Sequence, residues 1–322
     1  MRPRIASLLP AATEIVAELG LQDQLVGVSH ECDYPPGIER LAKLTRSVIE
    51  PTLSPAAIDE RVRSLNQAGA PLYLVEGDLL RTLAPDLVVT QGQCDVCAVS
   101  ESAVRAELLL QPWADVTSGA TLVSLMGLDV AGVLGDVMRV ANAAGLPERG
   151  EAVISTWQAR WDALPGPPDN PPRPPRVIVL EWPDPPFAAG HWVPQQVSAA
   201  GGVEALAGDT PGQPSRRVTW DAIAAADPDL IVLAACGHNV ARNAAHAGDL
   251  RQESTWTRLR AVREGQVWAV DANAYFSRPT PRLIAGAELL HAILTEQTDT
   301  LNPAVAQRVY AVGGTVGGVV DL

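Results

Sequence analysis

Short apolar segments of strand length alternate along this chain with segments of helical periodicity, and no other feature constrains its fold as strongly. The strand-like segments are Ile5–Leu9, Leu25–Val28, Leu87–Thr90, Leu122–Ser124, Val177–Leu180, Leu230–Ala234 and Val267–Val270. The helical segments are Thr13–Leu19, Ser54–Gln67, Leu79–Leu83, Trp220–Ala225 and Pro281–Leu294. Strands and helices that alternate in this way are typical of βαβ units, in which helices cover a mainly parallel sheet. The pattern therefore predicts an α/β protein.

A weak internal repeat indicates two lobes of similar construction. Residues 83–89 read Leu-Ala-Pro-Asp-Leu-Val-Val, and residues 225–232 read Ala-Ala-Asp-Pro-Asp-Leu-Ile-Val. Each phrase combines a helix end, a Pro-Asp turn and a buried strand. With 322 residues and 47% hydrophobic content, the chain is large enough for two cores.

Residues Leu128–Leu164 have helical character and are predicted to connect the lobes. Gly145 suits the position just after a helix and Pro147 the first position of the next, so two consecutive helices are expected. The proline-rich residues 165–175 read as a semi-rigid linker. We predict an N-terminal α/β lobe over residues 1–126, a connecting helical backbone over 127–165 and a C-terminal α/β lobe over 166–322.

Charge and hydropathy argue against several classes of function. A net charge of −13 argues against a nucleic-acid or anionic-membrane partner. No segment has the roughly 20 apolar residues of a membrane-spanning helix, so the protein is not expected to be membrane-embedded. Met1-Arg2-Pro3-Arg4 leads into the first predicted strand without an apolar leader. This predicts a cytoplasmic location as the sequence stands, or a periplasmic or extracytoplasmic one if Met1 is an engineered start.

Polar, aromatic and ligand-type side chains follow several of the predicted strands. These segments are Val26–Pro36, Gln91–Cys97, Glu181–Trp192 and Cys236–His238. The carboxyl ends of parallel strands form the binding crevice of an open α/β sheet. No nucleophile elbow, P-loop or Gly-x-Gly-x-x-Gly motif occurs, so catalysis is the least supported class. The sequence predicts a binding protein rather than an enzyme.

Four motifs in this order resemble the vitamin B12 (cobalamin)-binding proteins, a helical-backbone (class III) family of ABC-importer substrate-binding proteins. They are Ser7–Pro10 with Thr13-Glu14, Gly27–Ser29 with Asp33–Pro36, Asp184–Phe187, and Tyr275–Arg282. The resemblance covers roughly residues 4–294. It implies two Rossmann-like lobes with parallel sheets, joined by a long backbone helix, with the ligand in the interlobe cleft. The implied ligand is a corrinoid (cobalamin or cobinamide) or a related metal chelate, held for uptake, salvage or intracellular carriage. No cofactor is expected to be required.

The resemblance also implies a set of ligand-binding side chains. Apolar faces are expected from Tyr34, Phe187, Trp192, Tyr275 and Phe276, and hydrogen bonds from Arg46, Gln91, Glu181 and Arg278. Arg46, Gln91 and Glu181 stand where the family tends to have aromatic residues, so a stacking pocket is partly replaced by a hydrogen-bonding one. Asp221 matches an acidic residue that docks the second lobe on a membrane permease. The corresponding place in the first lobe reads Leu80-Arg81, which does not match.

A second hypothesis is a cytoplasmic protein that holds a transition metal or metal cluster through cysteine and histidine. The candidate metal ligands at strand ends are His30, Glu31, Cys32, Cys94, Cys97, Glu181, His191, Cys236 and His238. Thiolate and imidazole suit zinc, cobalt, copper or an iron–sulfur cluster, but the spacing matches no closed zinc motif. These residues could bind a bare ion, contribute one ligand to a metal chelate, or simply line strands. We rank the chelate first, with His191 or His30 approaching the metal. Siderophore binding is a third possibility, with two arginines as its basis.

Overall fold

A computed structural model describes residues 2–92, 99, 101, 103–105, 120–166, 173–206, 211–299 and 301–310. The chain divides into two compact units, residues 1–158 and 159–322. The division groups residues 127–158 with the first unit, and a separate connecting segment over 127–165 stays a prediction. None of the helices in these described ranges combines the length and apolar character needed to cross a membrane.

The first unit is built on a parallel sheet. Its strands are β1 (Ile5–Ser7), β2 (Leu25–Val28), β3 (Ala42–Lys43), β4 (Thr45–Ser47), β5 (Tyr73–Val75), β6 (Leu87–Gln91) and β7 (Thr121–Leu125). Its helices are α1 (Pro10–Glu18), α2 (Pro55–Gln67), α3 (Gly77–Leu83), α4 (Val130–Ala143) and α5 (Pro147–Asp162), and the division between the units falls within α5. The sheet has the order β3-β2-β1-β6-β7 with every neighbouring pair parallel. Strands β4 and β5 form a separate antiparallel pair.

The second unit has a mixed sheet with a parallel centre. Its strands are β8 (Arg176–Pro183), β9 (Pro186–Ala188), β10 (Val203–Glu204), β11 (Arg216–Arg217), β12 (Leu230–Leu233), β13 (Val267–Val270) and β14 (Ala306–Tyr310). Its helices are α6 (Val193–Ala199), α7 (Trp220–Ala226), α8 (Val240–Asp249), α9 (Ser254–Arg258), α10 (Arg260–Arg263), α11 (Ala272–Tyr275) and α12 (Arg282–Leu294). The order is β11-β9-β8-β12-β13-β14, with β10 beside the start of β8. Strands β8, β12 and β13 are parallel, whereas β9, β11 and β14 run antiparallel to their neighbours.

Local sequence signals explain where the helices begin. The Ser54 hydroxyl accepts the Ala57 amide at 3.3 Å, and Pro55 occupies the first turn, so this Ser-Pro pair starts α2. Asp129 caps α4 in the same way, accepting the Gly132 amide at 2.7 Å. Gly145 has a left-handed φ of 71° between α4 and α5, as predicted for the position after a helix.

The two cores explain why the central strands read as continuous apolar runs. All three residues of β1 and all four of β12 and of β13 are buried, because helices cover both faces of a parallel sheet. The structure confirms the predicted strands and helices, with small differences at their ends, and so confirms the α/β class with two Rossmann-like units. It adds the short strands β3, β4, β5, β9, β10, β11 and β14 and the helices α6, α8, α9, α10 and α11, which the sequence pattern did not predict.

Candidate functional site

In the first unit, His30 follows the carboxyl end of β2 and is held by the Thr45 hydroxyl, which is bonded in turn to the Ser29 hydroxyl. Its backbone amide donates to Thr45 Oγ1 at 3.1 Å, and its ring Nδ1 lies 2.8 Å from the same oxygen. Thr45 Oγ1 in turn donates to Ser29 Oγ at 2.9 Å. Because the Thr45 proton is used toward Ser29, Thr45 can only accept from the His30 ring. The proton of His30 is therefore on Nδ1, and Nε2 carries a lone pair.

The surroundings of His30 keep its ring neutral. Burial, with a smaller contribution from the positive charge of Lys43, lowers the pKa of His30 below its ordinary value. The Tyr73 ring packs beside it with centroids 5.8 Å apart. Within the described residues His30 Nε2 has no hydrogen-bond partner, and the ring is half-buried. At neutral pH this histidine presents an uncharged nitrogen base in a fixed orientation.

The cysteines in the described part of the chain do not assemble a metal site. Cys32 is 3% exposed, and its sulfur lies 3.1 Å from the Thr13 hydroxyl inside the core. Cys236 follows β12 and is partly exposed, with its amide bonded to the Glu181 carbonyl at 3.1 Å. Among the described residues, no group of three or more His, Cys, Asp or Glu could hold a metal ion. Cys32 as a metal ligand stays a prediction, although its thiol is enclosed in this structure. Cys94 and Cys97 lie outside the described residues.

Three other predicted residues of the first unit differ in exposure. Tyr34 is 39% exposed and Arg46 is exposed, with its guanidinium 2.9 Å from the Glu76 carboxylate. Gln91, the last residue of β6, is only 5% exposed. The part of Gln91 in ligand binding stays a prediction, although protein atoms cover its side chain in this structure. Tyr34 and Arg46 remain predictions.

In the second unit, β8 carries a bulge at Glu181 that shifts its register against β9. Leu180 pairs with Ala188 across β9, but Trp182 pairs with Phe187, so the register shifts by one residue. Phe187 pairs in turn with Arg217 of β11. Trp182, Phe187 and Arg217 therefore form one cross-strand row, which we call the aromatic row. Trp182 was missed by the sequence analysis, although it stands within a strand-end segment and is only half-buried.

Glu181 and His191 are joined through the segment Gln213–Ser215. The Glu181 carboxylate accepts the Ser215 hydroxyl at 2.6 Å, and Ser215 Oγ accepts the Gly190 amide at 3.0 Å. The His191 amide donates to the Gln213 carbonyl at 2.6 Å. His191 has a φ of 54°, a left-handed conformation that costs energy outside glycine and is common at functional sites. Glu181 and His191 are both partly exposed.

The His191 ring is held differently from that of His30. Burial lowers its pKa below the ordinary value, so this imidazole is also neutral at neutral pH. It packs against the Trp192 ring with centroids 5.5 Å apart. Within the described residues neither ring nitrogen of His191 makes a hydrogen bond, so its tautomer is not fixed.

Two predicted aromatic residues of the second unit belong to the core. Trp192 is 6% exposed and Phe276 is 3% exposed, and the Trp192 indole N–H donates to the Phe276 carbonyl at 2.7 Å. A role of either ring in ligand binding stays a prediction, although both rings are covered in this structure. Gln196 Nε2 donates to the Tyr275 and Leu283 carbonyls at 2.9 and 2.6 Å. Tyr275 and Arg278 are partly exposed and remain predictions, as does Phe187.

A pair of buried histidines, His238 and His246, lies beside Trp182. His238 Nδ1 lies 2.9 Å from His246 Nε2, and the His238 ring is 5.6 Å from that of Trp182. Burial, followed by the positive charges of Arg242 and His246, lowers the pKa of His238 to about 3. Burial also lowers the pKa of His246. The pair is neutral at neutral pH, and its His238 ring lies beside the Trp182 ring of the aromatic row.

Two α/β units, each with polar and aromatic side chains at the carboxyl ends of its strands, give the fold of a class III periplasmic binding protein. The chain belongs to the periplasmic binding protein family, whose model matches residues 5–274. A vitamin B12-binding protein of Vibrio cholerae is 26% identical over 290 residues, which cover 88% of this chain and 86% of that protein.

Solved structures share the fold. The periplasmic vitamin B12-binding protein of Vibrio cholerae has a TM-score of 0.63 at 21% identity, over 93% of this chain and 99% of that one. A periplasmic heme-binding protein of Pseudomonas aeruginosa has a TM-score of 0.69 at 17% identity, over 97% of this chain and all of the other. A heme-binding protein of Roseiflexus has a TM-score of 0.66 at 21% identity, over 92% of this chain and 99% of that one. At these identities the structures establish the fold alone.

Proposed function

We propose that this protein binds a corrinoid, either cobalamin or cobinamide, or a related planar metal chelate. The observation that carries the proposal is the aromatic row, in which Trp182 and Phe187 are cross-strand neighbours and both partly exposed. Half-exposed aromatic faces at strand ends suit a large, flat macrocycle, which gains contact area by lying against them. The 26% identity to a protein named for vitamin B12 binding supports the corrinoid as the first choice. The proposal covers uptake, salvage and intracellular carriage alike.

A chelate fits the described residues better than a bare metal ion. A protein site for zinc or another transition ion needs three or four ligands close together, and the described residues bring no such group together. A macrocycle supplies the in-plane ligands itself and leaves only axial positions for the protein. The proposal therefore does not depend on the cysteines.

Heme is the second candidate ligand. Arg217 extends the aromatic row and is exposed, so its guanidinium could pair with a peripheral carboxylate next to the stacked ring. Heme carries two such carboxylates, whereas the corrin ring carries amides. Proteins named for heme binding share this fold. The position of Arg217 is the observation that favours heme.

The experiment is a titration of purified, metal-analysed protein with cyanocobalamin, aquocyanocobinamide and ferric heme, followed by tryptophan fluorescence and calorimetry. We expect saturable one-to-one binding of a corrinoid, with the ligand recovered unchanged because the proposal is binding without catalysis. Binding of heme alone would move the second candidate to first place. Failure to bind any of the three, with stoichiometric zinc or iron in the starting sample, would overturn the proposal in favour of the metal hypothesis.

Docking on a permease through Asp221 stays a prediction. Asp221 is exposed in the first turn of α7, where an acidic side chain can reach a basic partner. We expect Asp221→Arg to leave ligand affinity unchanged and to weaken binding to an ABC permease that binds the wild-type protein, measured with the permease in nanodiscs. Unchanged permease binding would remove Asp221 from the docking surface.

A further inference from the structure

The His30 ring is hydrogen-bonded in the way that is usual for a metal-ligating histidine. Histidines that bind metals almost always donate a hydrogen bond from the other ring nitrogen, which fixes the tautomer and the ring orientation. His30 makes such a bond from Nδ1 to Thr45 Oγ1 at 2.8 Å, and Thr45 is itself fixed by Ser29 at 2.9 Å. The lone pair on Nε2 is thereby directed away from this network.

The number of ligands around His30 decides what kind of metal species it can bind. Cys32, the nearest cysteine in the sequence, has its sulfur against Thr13 in the core. Since no three-ligand group occurs among the described residues, His30 cannot complete a site for a bare ion there. One imidazole is, however, what a planar chelate with one exchangeable axial position requires.

His191 provides the internal comparison. It too is a partly exposed, neutral histidine at a strand-end loop, but its ring has no hydrogen-bond partner among the described residues. Nothing there fixes which of its nitrogens carries the proton. The supporting hydrogen bond therefore distinguishes His30 from His191 as the candidate axial ligand.

We propose that His30 Nε2 is the axial ligand to the metal of the bound chelate, and that the protein selects chelates with an exchangeable axial position. This inference rests on the proposed function. In the ligation step the Nε2 lone pair forms the bond to the metal, and the water on that face leaves with its own electron pair. No proton moves, because the ring is already neutral with its proton on Nδ1. A corrinoid with one aquo ligand and ferric heme share this chemistry.

The test compares aquocyanocobinamide, which has one exchangeable water, with dicyanocobinamide kept in excess cyanide, which has none. Wild-type protein is expected to shift the visible absorption bands of the first to those of a nitrogen-ligated species and to bind the second at least about tenfold more weakly. His30→Gln should bind the first without the band shift. His191→Gln, the matched control, should keep the shift. Circular dichroism and thermal unfolding confirm that each variant is folded.

Heme binding and a Thr45 variant provide two further tests of the role of His30. Ferric heme should give a histidine-ligated Soret spectrum with wild-type protein and with His191→Gln but not with His30→Gln. This result would identify His30 as the axial ligand of heme as well as of the corrinoid. Thr45→Val removes the partner of Nδ1 and should lower affinity by about tenfold while the band position is kept. Binding of aquocyanocobinamide with no band shift, or a shift that survives in His30→Gln, would overturn the axial-ligand inference and leave the proposed function standing. Failure of wild-type protein to bind any chelate would overturn both.

Discussion

The carboxylate of Asp136 in α4 accepts the backbone amide of Met126 at 2.9 Å, just beyond the end of β7. The same carboxylate accepts the Gly127 amide at 2.7 Å and the Arg139 guanidinium, and it is fully buried. Met126 is 48% exposed, and its sulfur lies over Gly92, which follows β6. The buried Asp136 carboxylate thus fixes the backbone that carries the exposed Met126 side chain, at the carboxyl edge of the first sheet.

Asp136→Ala should lower the free energy of unfolding by about 2–4 kcal/mol, because it leaves the Met126 and Gly127 amides without their acceptor. Urea denaturation followed by circular dichroism measures this. The matched control is Asp129→Asn at the cap of α4, which should cost less than about 0.5 kcal/mol, since asparagine caps as well as aspartate. Equal losses in the two variants would contradict the role assigned to Asp136.

Two glycines within helices should respond to alanine in opposite directions. A Cβ on Gly286 of α12 would overlap the Tyr275 carbonyl oxygen, so Gly286→Ala should destabilise by about 1–3 kcal/mol. A Cβ on Gly135 of α4 would meet nothing within 4 Å, so Gly135→Ala should stabilise by about 0.5–1 kcal/mol. Thermal unfolding of both variants tests the pair. A stabilising Gly286→Ala would show that α12 does not pack closely on α11.

His238 should make stability depend on pH. Its pKa falls from the ordinary 6.5 to about 3 in the folded protein, so between these values the unfolded chain binds more protons than the native one. The stabilisation is fully present above about pH 6.5 and is lost as pH falls toward 3. Between pH 7 and pH 4 we expect wild-type protein to lose about 3 kcal/mol more than His238→Gln. Urea denaturation at the two pH values measures both losses. Equal losses of unfolding free energy in wild-type protein and His238→Gln would contradict this.

Trp182 should report ligand binding, and Trp192 should not. Trp182→Phe is expected to remove most of the ligand-induced quenching of tryptophan fluorescence, since the Trp182 ring belongs to the aromatic row and is partly exposed. Trp192→Phe should keep the quenching and instead lower stability by about 1 kcal/mol, because it removes the bond to the Phe276 carbonyl. If Trp192→Phe removed the quenching and Trp182→Phe kept it, the ligand would lie next to Trp192 rather than Trp182.

The central strands were predictable because burial on both faces leaves a continuous apolar run. Leu25–Val28 and Val267–Val270 were predicted with the bounds that the structure shows. The pair of β4 and β5 was not, since each has three residues and Thr45 pairs with Val75, thirty positions away. Short antiparallel pairs of this kind depend on tertiary contacts and leave no periodic pattern.

The candidate site was less predictable, because a residue's neighbours in sequence do not reveal which face its side chain takes. Trp192 stands beside a Gly-His turn, yet its ring is bonded into the core. One bulge at Glu181 decides that Trp182 pairs with Phe187. The tautomer of His30 is set by Thr45, fifteen residues later, so it follows only from the fold.

Strand β14 supplies the last partner of β13, pairing Ala306 with Val270 and Tyr310 with Val267. During translation the outer edge of β13 has no strand beside it until residue 310 has left the ribosome. Nascent or truncated chains that stop before residue 306 would expose this edge to other chains. The second unit can therefore complete its sheet only after residue 310 has been synthesised, and premature termination would favour aggregation over a smaller stable product.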